Sequence, residues 1–217
     1  MKLLSSFACG ITVLMLFVNM AIGAEKRVAI TFDDGPSFLS TKQILAILKE
    51  KDVRATFFVI GKNVQRYPEL ARAIIADGNV IANHSYDHSR FLAFISNRKL
   101  DTELDLTEKS IFDATGLHAI LFRAPYGYAS SDMYKELIRK GYTVVRWSVD
   151  PTDWSIRRSA PDIVKIVLKE ARPNGIILLH EGHPHTIKAL PEIIDALRNN
   201  GYQFVTVDQI VGQKPYK

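Results

Sequence analysis

Cysteine is almost absent from this chain. The single one, Cys9, falls within the first two dozen residues, so from residue 25 onward there is no thiol. That excludes a disulfide framework and leaves the folded part to its core, aided at most by a metal. Clusters of Lys or Arg interleaved with aromatics are also missing, which argues against nucleic acid as a partner. There is no internal repeat, no low-complexity tract and no obvious linker. What remains, 217 residues with 47% hydrophobic and 24% charged, is ordinary globular composition, enough for one domain with a large core.

The first segment stands apart. Lys2 precedes an uncharged apolar stretch from Leu3 to Ile22 that ends in the small residues Gly23 and Ala24. This reads as a signal peptide over residues 1–24, cleaved after Gly23 or Ala24, with the domain occupying 25–217. The stretch is long for a signal, so an uncleaved membrane anchor is the alternative. Either way the domain is exported: secreted, periplasmic or held at the cell surface. Phe7-Ala8-Cys9 comes too early for a lipoprotein cleavage box. The formal charge is +5, one unit of it from Lys2. A mildly basic surface outside the cytoplasm suits anionic cell-wall polymers as well as simple solubility.

From Arg27 on, short apolar runs alternate with amphipathic segments. The runs are 27–32, 55–60, 80–82, 120–123, 143–148, 175–179 and 203–207. Between them apolar residues recur at helical spacing, as in Ile44-Leu45-Ile47-Leu48 or Leu190-Ile193-Ile194-Leu197. Gly78, Gly141 and Gly201 stand where helices should hand over to strands. Such alternation predicts an α/β domain with a mainly parallel sheet.

Polar residues gather where the runs stop. Asp33 and Asp34 follow the first, in Ile30-Thr31-Phe32-Asp33-Asp34-Gly35-Pro36. His84 and His88 follow the third, Arg123 ends the fourth, Asp150 and Asp153 follow the fifth, and His180 ends the sixth. On its own the Asp-Asp-Gly-Pro stretch describes a strand end and a turn as well as it describes a site. In a flat sheet strands lie roughly 4.8 Å apart, so the ends of the first and sixth would be far from each other. If these groups serve one site, the sheet must curl into a barrel, whose sites collect at the C-terminal strand ends. Seven units imply a distorted or incompletely closed barrel, a (β/α)7.

His84 and His88 are four residues apart, close enough on a helical or tight-loop face to grip one ion. Two imidazoles and one aspartate make a three-ligand set that leaves positions open for water and substrate. The ion would also offset the repulsion between the two adjacent aspartates. A metal-bound water has its pKa lowered from about 15.7 to near 7, and the other aspartate could take its proton. His180 beside Asp153 could protonate a leaving group, and Arg123 could pair with and orient the aspartate base. This is machinery for hydrolysing an acyl bond.

Thr31-Phe32-Asp33-Asp34-Gly35-Pro36, His84-Ser85-x-x-His88, Arg123-x-Pro125-Tyr126, Asp150-x-x-Asp153-Trp154 and Leu178-x-His180 resemble the five ordered motifs of the polysaccharide deacetylases. These form the NodB-homology group, also called carbohydrate esterase family 4. The resemblance runs from about Arg27 to Val207. It implies a distorted (β/α) barrel and a metal-dependent hydrolase that removes acetyl groups from amino sugars or, in some members, from acetylated xylan. It further implies Asp33 as base, with Asp34, His84 and His88 as ligands of one divalent ion. Zinc is the usual ion, with cobalt, nickel, manganese or iron also suited to such a set. His180 would be the acid tuned by Asp153, and Arg123 would orient Asp33. Trp154 and Leu178 would line the pocket for the acetyl methyl, and the Tyr126 N–H would help hold the oxyanion. The partner is then a polysaccharide with N-acetylated amino sugars, peptidoglycan or chitin fragments, and no obligate protein partner is evident. An O-acetyl xylan esterase would use the same site. A non-catalytic carbohydrate-binding protein would be expected to lack a base or a ligand.

One departure follows His180, where the family often shows Asp-Gly and this chain reads Glu181-Gly182-His183-Pro184-His185. Those histidines are expected in a solvated loop, and the His180–Ala189 loop is expected to leave the groove open. His118 is expected to be structural. Tyr128 and Phe91 could join a sugar platform, although single aromatics in loops serve packing as often as binding.

Overall fold

A computed structural model describes residues 25–217; the expected signal peptide or anchor, with Cys9, lies outside the described residues. Seven strands alternate with helices: β1 (Lys26–Gly35), α1 (Thr41–Glu50), β2 (Thr56–Val59), α2 (Gly61–Arg66), α3 (Pro68–Ala76), β3 (Val80–Asn83), α4 (Asn97–Thr115) and β4 (Leu121–Phe122). Then come α5 (Ser131–Arg139), β5 (Thr143–Val144), α6 (Ala160–Glu170), β6 (Gly175–His180), α7 (Pro184–Asn199), β7 (Tyr202–Phe204) and α8 (Val207–Val211). All strand pairs are parallel, in the order β5-β4-β3-β2-β1-β6, with β7 also on β1. Among the described residues no helix is long and apolar enough to cross a membrane.

The sheet curls because the chain after β5 returns to β6. Val149 bridges Ile177 in parallel. Its N–H donates to the Ile176 carbonyl at 3.2 Å, and its carbonyl accepts from Leu178 N–H at 2.9 Å. Of the expected fifth run, 143–148, only Thr143–Val144 forms a strand, and the bridge at Val149, one residue past the run, closes the path from β1 round to β6. The result is a distorted (β/α)7 barrel.

The seventh strand departs from a regular barrel. Val28 of β1 pairs with both Gly175 of β6 and Phe204 of β7, while Thr31 pairs with Thr56 of β2 and Leu178 of β6. With β6 on one edge of β1, β7 and β2 must share the other, β7 below and β2 above. The expected run 203–207 stops at Phe204 because Thr206 and Gln209 form a capping box that starts α8.

Alternation along β1 sorts its side chains. Val28, Ile30 and Phe32 pack outward with α1, α6 and α7 side chains such as Ile44, Val167 and Ile193. Ala29 joins Phe58, Ala82, Leu121 and Val145 in the barrel interior. A period of two then places Thr31 and Asp33 on that inner face as well. Gly78, Gly141 and Gly201 adopt the positive φ that ends helices.

Candidate active site

The two adjacent aspartates are separated by backbone geometry. Asp33 pairs with Phe58 and Gly35 with Val59, so Asp34 is the extra residue of a bulge in β1, with φ of +73°. A bulge re-aims a side chain without breaking the sheet. Asp33 stays on the inner face and meets the guanidinium of Arg123, which is fully buried. Nη1 of Arg123 donates to Asp33 Oδ1 at 2.7 Å and to Thr31 Oγ1 at 2.8 Å, and Thr31 Oγ1 donates to the Ile177 carbonyl at 2.7 Å. Nε and Nη2 of Arg123 have no hydrogen-bond acceptor among the described residues. The guanidinium carbon instead lies 4.0 Å from the Phe58 ring centroid, a cation–π contact strengthened by burial.

Asp34 is turned toward the histidines. Its Oδ1 lies 3.1 Å from His88 Nε2 and 3.5 Å from His84 Nε2. The loop that brings them is tight, not helical: Ser85 and His88 both have positive φ. Asn83 Oδ1 accepts from Ser85 N–H, Ser85 Oγ accepts from His88 N–H, and Glu103 of α4 accepts from the N–H groups of Tyr86 and Asp87. His84 Nδ1 is 2.7 Å from the Arg123 carbonyl. A carbonyl only accepts, so Nδ1 donates to it, and the other ring nitrogen, Nε2, is the one turned toward Asp34.

These residues fit a divalent ion. Asp34, His84 and His88 offer ligand atoms within 4.8 Å of one another. Asp34 Oδ1 is buried without a hydrogen-bond donor. Burial pushes the Asp34 carboxyl up, but the His84 and His88 imidazoles outweigh it and hold it at about 2. Burial and the neighbouring His84 push the His88 imidazole down, toward the neutral form that ligates. An anionic oxygen facing ring nitrogens is resolved by a cation, and two imidazoles with one carboxylate suit zinc or a similar ion.

On the opposite side of Asp33 stands His180, its register partner across β1 and β6. His180 Nδ1 is 2.7 Å from Asp153 Oδ1, and Asp153 Oδ2 accepts from the His180 N–H at 2.8 Å and from Thr186 Oγ1 at 2.6 Å. Burial pulls the imidazole down, but the bond to Asp153 and its charge raise it to about 9. His180 therefore carries a proton at neutral pH, with Nε2 left for the groove.

Every expected site residue is brought together. A groove of about 520 Å³ is lined by Asp33, Asp34, His84, His88, Tyr126 and His180, with Trp154 and Leu178 beside them; Arg123 and Asp153 lie behind Asp33 and His180. The groove also contains Gly127, Trp147 and Asp150, the first two of which no motif marked. Gly127 and Trp147 fit each other, since a Cβ at 127 would fall 2.4 Å from the indole. Glu181, which opens the departure after His180, has a structural place that its sequence does not reveal. It is buried, accepts from Ser40 Oγ and Thr41 Oγ1, and its N–H donates to the Asp33 carbonyl. Burial raises its carboxyl to about 7.

The histidines after His180 part company. His185 is exposed, as expected, whereas His183 is half-buried at the start of α7 with its ring 6.3 Å from His180. The expected open loop through Ala189 is largely the first turns of α7, which begin at Pro184. His118 pairs with Glu108 and stacks on Phe112, away from the groove.

Comparison with known proteins bears on this arrangement. The family model described as polysaccharide deacetylase matches residues 22–145. The peptidoglycan-N-acetylglucosamine deacetylase PgdA of Listeria monocytogenes is 37% identical over 190 residues; the match covers 88% of this chain but 40% of that longer protein. A chitooligosaccharide deacetylase of Rhizobium leguminosarum bv. trifolii is 35% identical over 199 residues, covering 85% of this chain and 92% of that one. The crystal structure of the Bc1960 peptidoglycan N-acetylglucosamine deacetylase superimposes with a TM-score of 0.86 at 32% identity, covering 89% of this chain and 92% of the other.

Proposed function

Since the chain belongs to the polysaccharide deacetylase family, we propose that it removes acetyl groups from N-acetylglucosamine units of peptidoglycan or chitin-type oligomers. One observation carries the reading. A single groove holds the Asp34, His84 and His88 cluster together with two acid–base groups, Asp33 and His180, each fixed by its own partner.

Asp34, His84 and His88 would hold one divalent ion, zinc in this reading, whose chemistry is to polarise a carbonyl and make water more acidic. The protein's own groups do the rest. Asp33, aimed by Arg123, takes the proton of the attacking water as its oxygen bonds to the acetyl carbon. The N–H of Tyr126, at φ of +57°, is assigned to the oxyanion that develops. His180 gives its proton to the amide nitrogen, the C–N bond breaks, and a free amine and acetate result. Asp153 keeps the imidazole protonated and oriented. Trp154 and Leu178, with Trp147, enclose the acetyl methyl. Residues 1–24 as an export signal and 25–217 as the enzyme domain agree with a polymer outside the cytoplasmic membrane.

The test is acetate release by the protein from residue 25 onward, after chelation and after zinc is restored, from N-acetylglucosamine oligomers, peptidoglycan and acetylated xylan. Zinc-dependent release from the first two is expected. Release from acetylated xylan alone would replace the N-deacetylase reading with an esterase.

A further inference from the structure

Large apolar side chains are left exposed on the loops at the C-terminal ends of the strands. Phe91, Phe94, Tyr126, Tyr128 and Trp154 are all exposed, and all stand on the loops that carry His88, Arg123 and Asp153. Among the described residues, the loops at the opposite end of the sheet expose no large hydrophobic side chain. Grouped exposure of this kind marks a binding surface.

Within the group, Phe94 and Tyr128 form a pair. Their rings are 5.4 Å apart with planes at 22°, yet Phe94 is 70% exposed and Tyr128 54%. The backbone beneath them is fixed. Phe94 closes a 3-10 turn whose Leu92 and Ala93 are buried against Phe122 and Met133. Tyr128 stands between Gly127, which lines the groove, and Ala129, which packs on the same apolar cluster. Packing would have buried these rings. They are instead anchored from below and presented to solvent, next to the groove, through Tyr126 and Gly127.

Building on the deacetylase reading, we propose that Phe94 and Tyr128 form a sugar-binding platform for a pyranose ring neighbouring the one that carries the acetyl group. A pyranose has an apolar C–H face that stacks on an aromatic ring, while its hydroxyls stay in water or meet a phenol such as that of Tyr128. Tyr126 and Gly127 line the groove and Tyr128 follows them directly in the chain, which puts the pair within reach of an oligomer extending on that side. Oligomers long enough to reach the platform bind more tightly, and a short substrate that occupies the groove alone gains nothing from it.

The test compares Phe94→Ala, Tyr128→Ala and the double variant with wild type on a disaccharide and a pentasaccharide of N-acetylglucosamine. Both side chains are exposed, so the variants should unfold at the wild-type temperature. KM for the pentasaccharide should rise about three- to tenfold per ring removed, with kcat and the disaccharide KM unchanged, and Phe94→Tyr should restore it. Equal KM in all variants, or equal shifts for both lengths, would overturn the platform. If wild type releases no acetate from either, the reaction is wrong but the platform is still decided by binding. Pentasaccharide titration followed by NMR should then show weaker binding by the double variant, and equal affinity would refute it. A changed oligomeric state without a change in sugar binding would assign the rings to a contact between copies and also refute it.

Discussion

Asp33 and His180 are direct register partners across the parallel β1–β6 ladder, although they come from opposite ends of the domain. The proposed base and acid are thus separated by one inter-strand spacing, about 4.8 Å of backbone. Neither depends on a mobile loop for its position. Just beyond them the Glu181 N–H donates to the Asp33 carbonyl at 3.0 Å, which extends the ladder one step past the site. Each side chain then has its own anchor, Arg123 for Asp33 and Asp153 for His180.

Replacing Asp153 by Asn removes the anion that holds the His180 proton. The imidazole should fall from about 9 toward its ordinary value near 6.5. The alkaline limb of the kcat/KM profile should move to lower pH, with a loss of about 10- to 100-fold at pH 8. An unmoved limb would show that His180 does not set it.

The same pair makes stability depend on pH. The folded pKa of His180 lies above the unfolded one, so its contribution is fully present below about pH 6.5 and is lost as pH rises through about 9. Urea midpoints of metal-free protein should fall across that window, and more steeply in wild type than in Asp153→Asn.

Arg123 is buried beside a buried carboxylate, and removing one partner strands the other. Arg123→Ala should cost about 3–5 kcal/mol and suppress acetate release in whatever still folds. Arg123→Lys keeps the charge but loses the flat face on Phe58, so it should recover stability only in part. Urea denaturation of both variants checks this.

Gly35 is required by space, since a Cβ there would fall 1.9 Å from Glu181 Oε1. Glu181 cannot swing aside cheaply, being tied to Ser40 and Thr41. Gly35→Ala should destabilise by about 1–3 kcal/mol, and adding Glu181→Ala should return part of that loss. A double-mutant cycle with no coupling would contradict the contact.

Much of this was legible in the sequence because it depends on local pattern. The seven strands follow from apolar runs alternating with helical spacing, and Asp33, Asp34, His84, His88 and His180 announce themselves as charges where those runs end. What was not legible depends on pairing. No local feature of Tyr202–Phe204 says that β7 shares an edge of β1 with β2. That β5 stops at Val144 and the path closes through the bridge from Val149 to Ile177 is set by pairing, and a two-residue strand leaves no periodicity to read. The different directions of Asp33 and Asp34 depend on a bulge at Asp34, which an Asp-Asp-Gly triplet permits but does not announce. Trp147 and Glu181 read as a strand aromatic and a loop acid, and only the fold brings one into the groove and the other behind Gly35.

The most direct test of the central claim is Asp33→Asn, assayed for zinc binding and acetate release in parallel. The account predicts one zinc per chain, as in wild type, since Asp34, His84 and His88 are untouched. It also predicts acetate release from N-acetylglucosamine oligomers lowered by about 100-fold or more. Full acetate release from that variant would contradict the account.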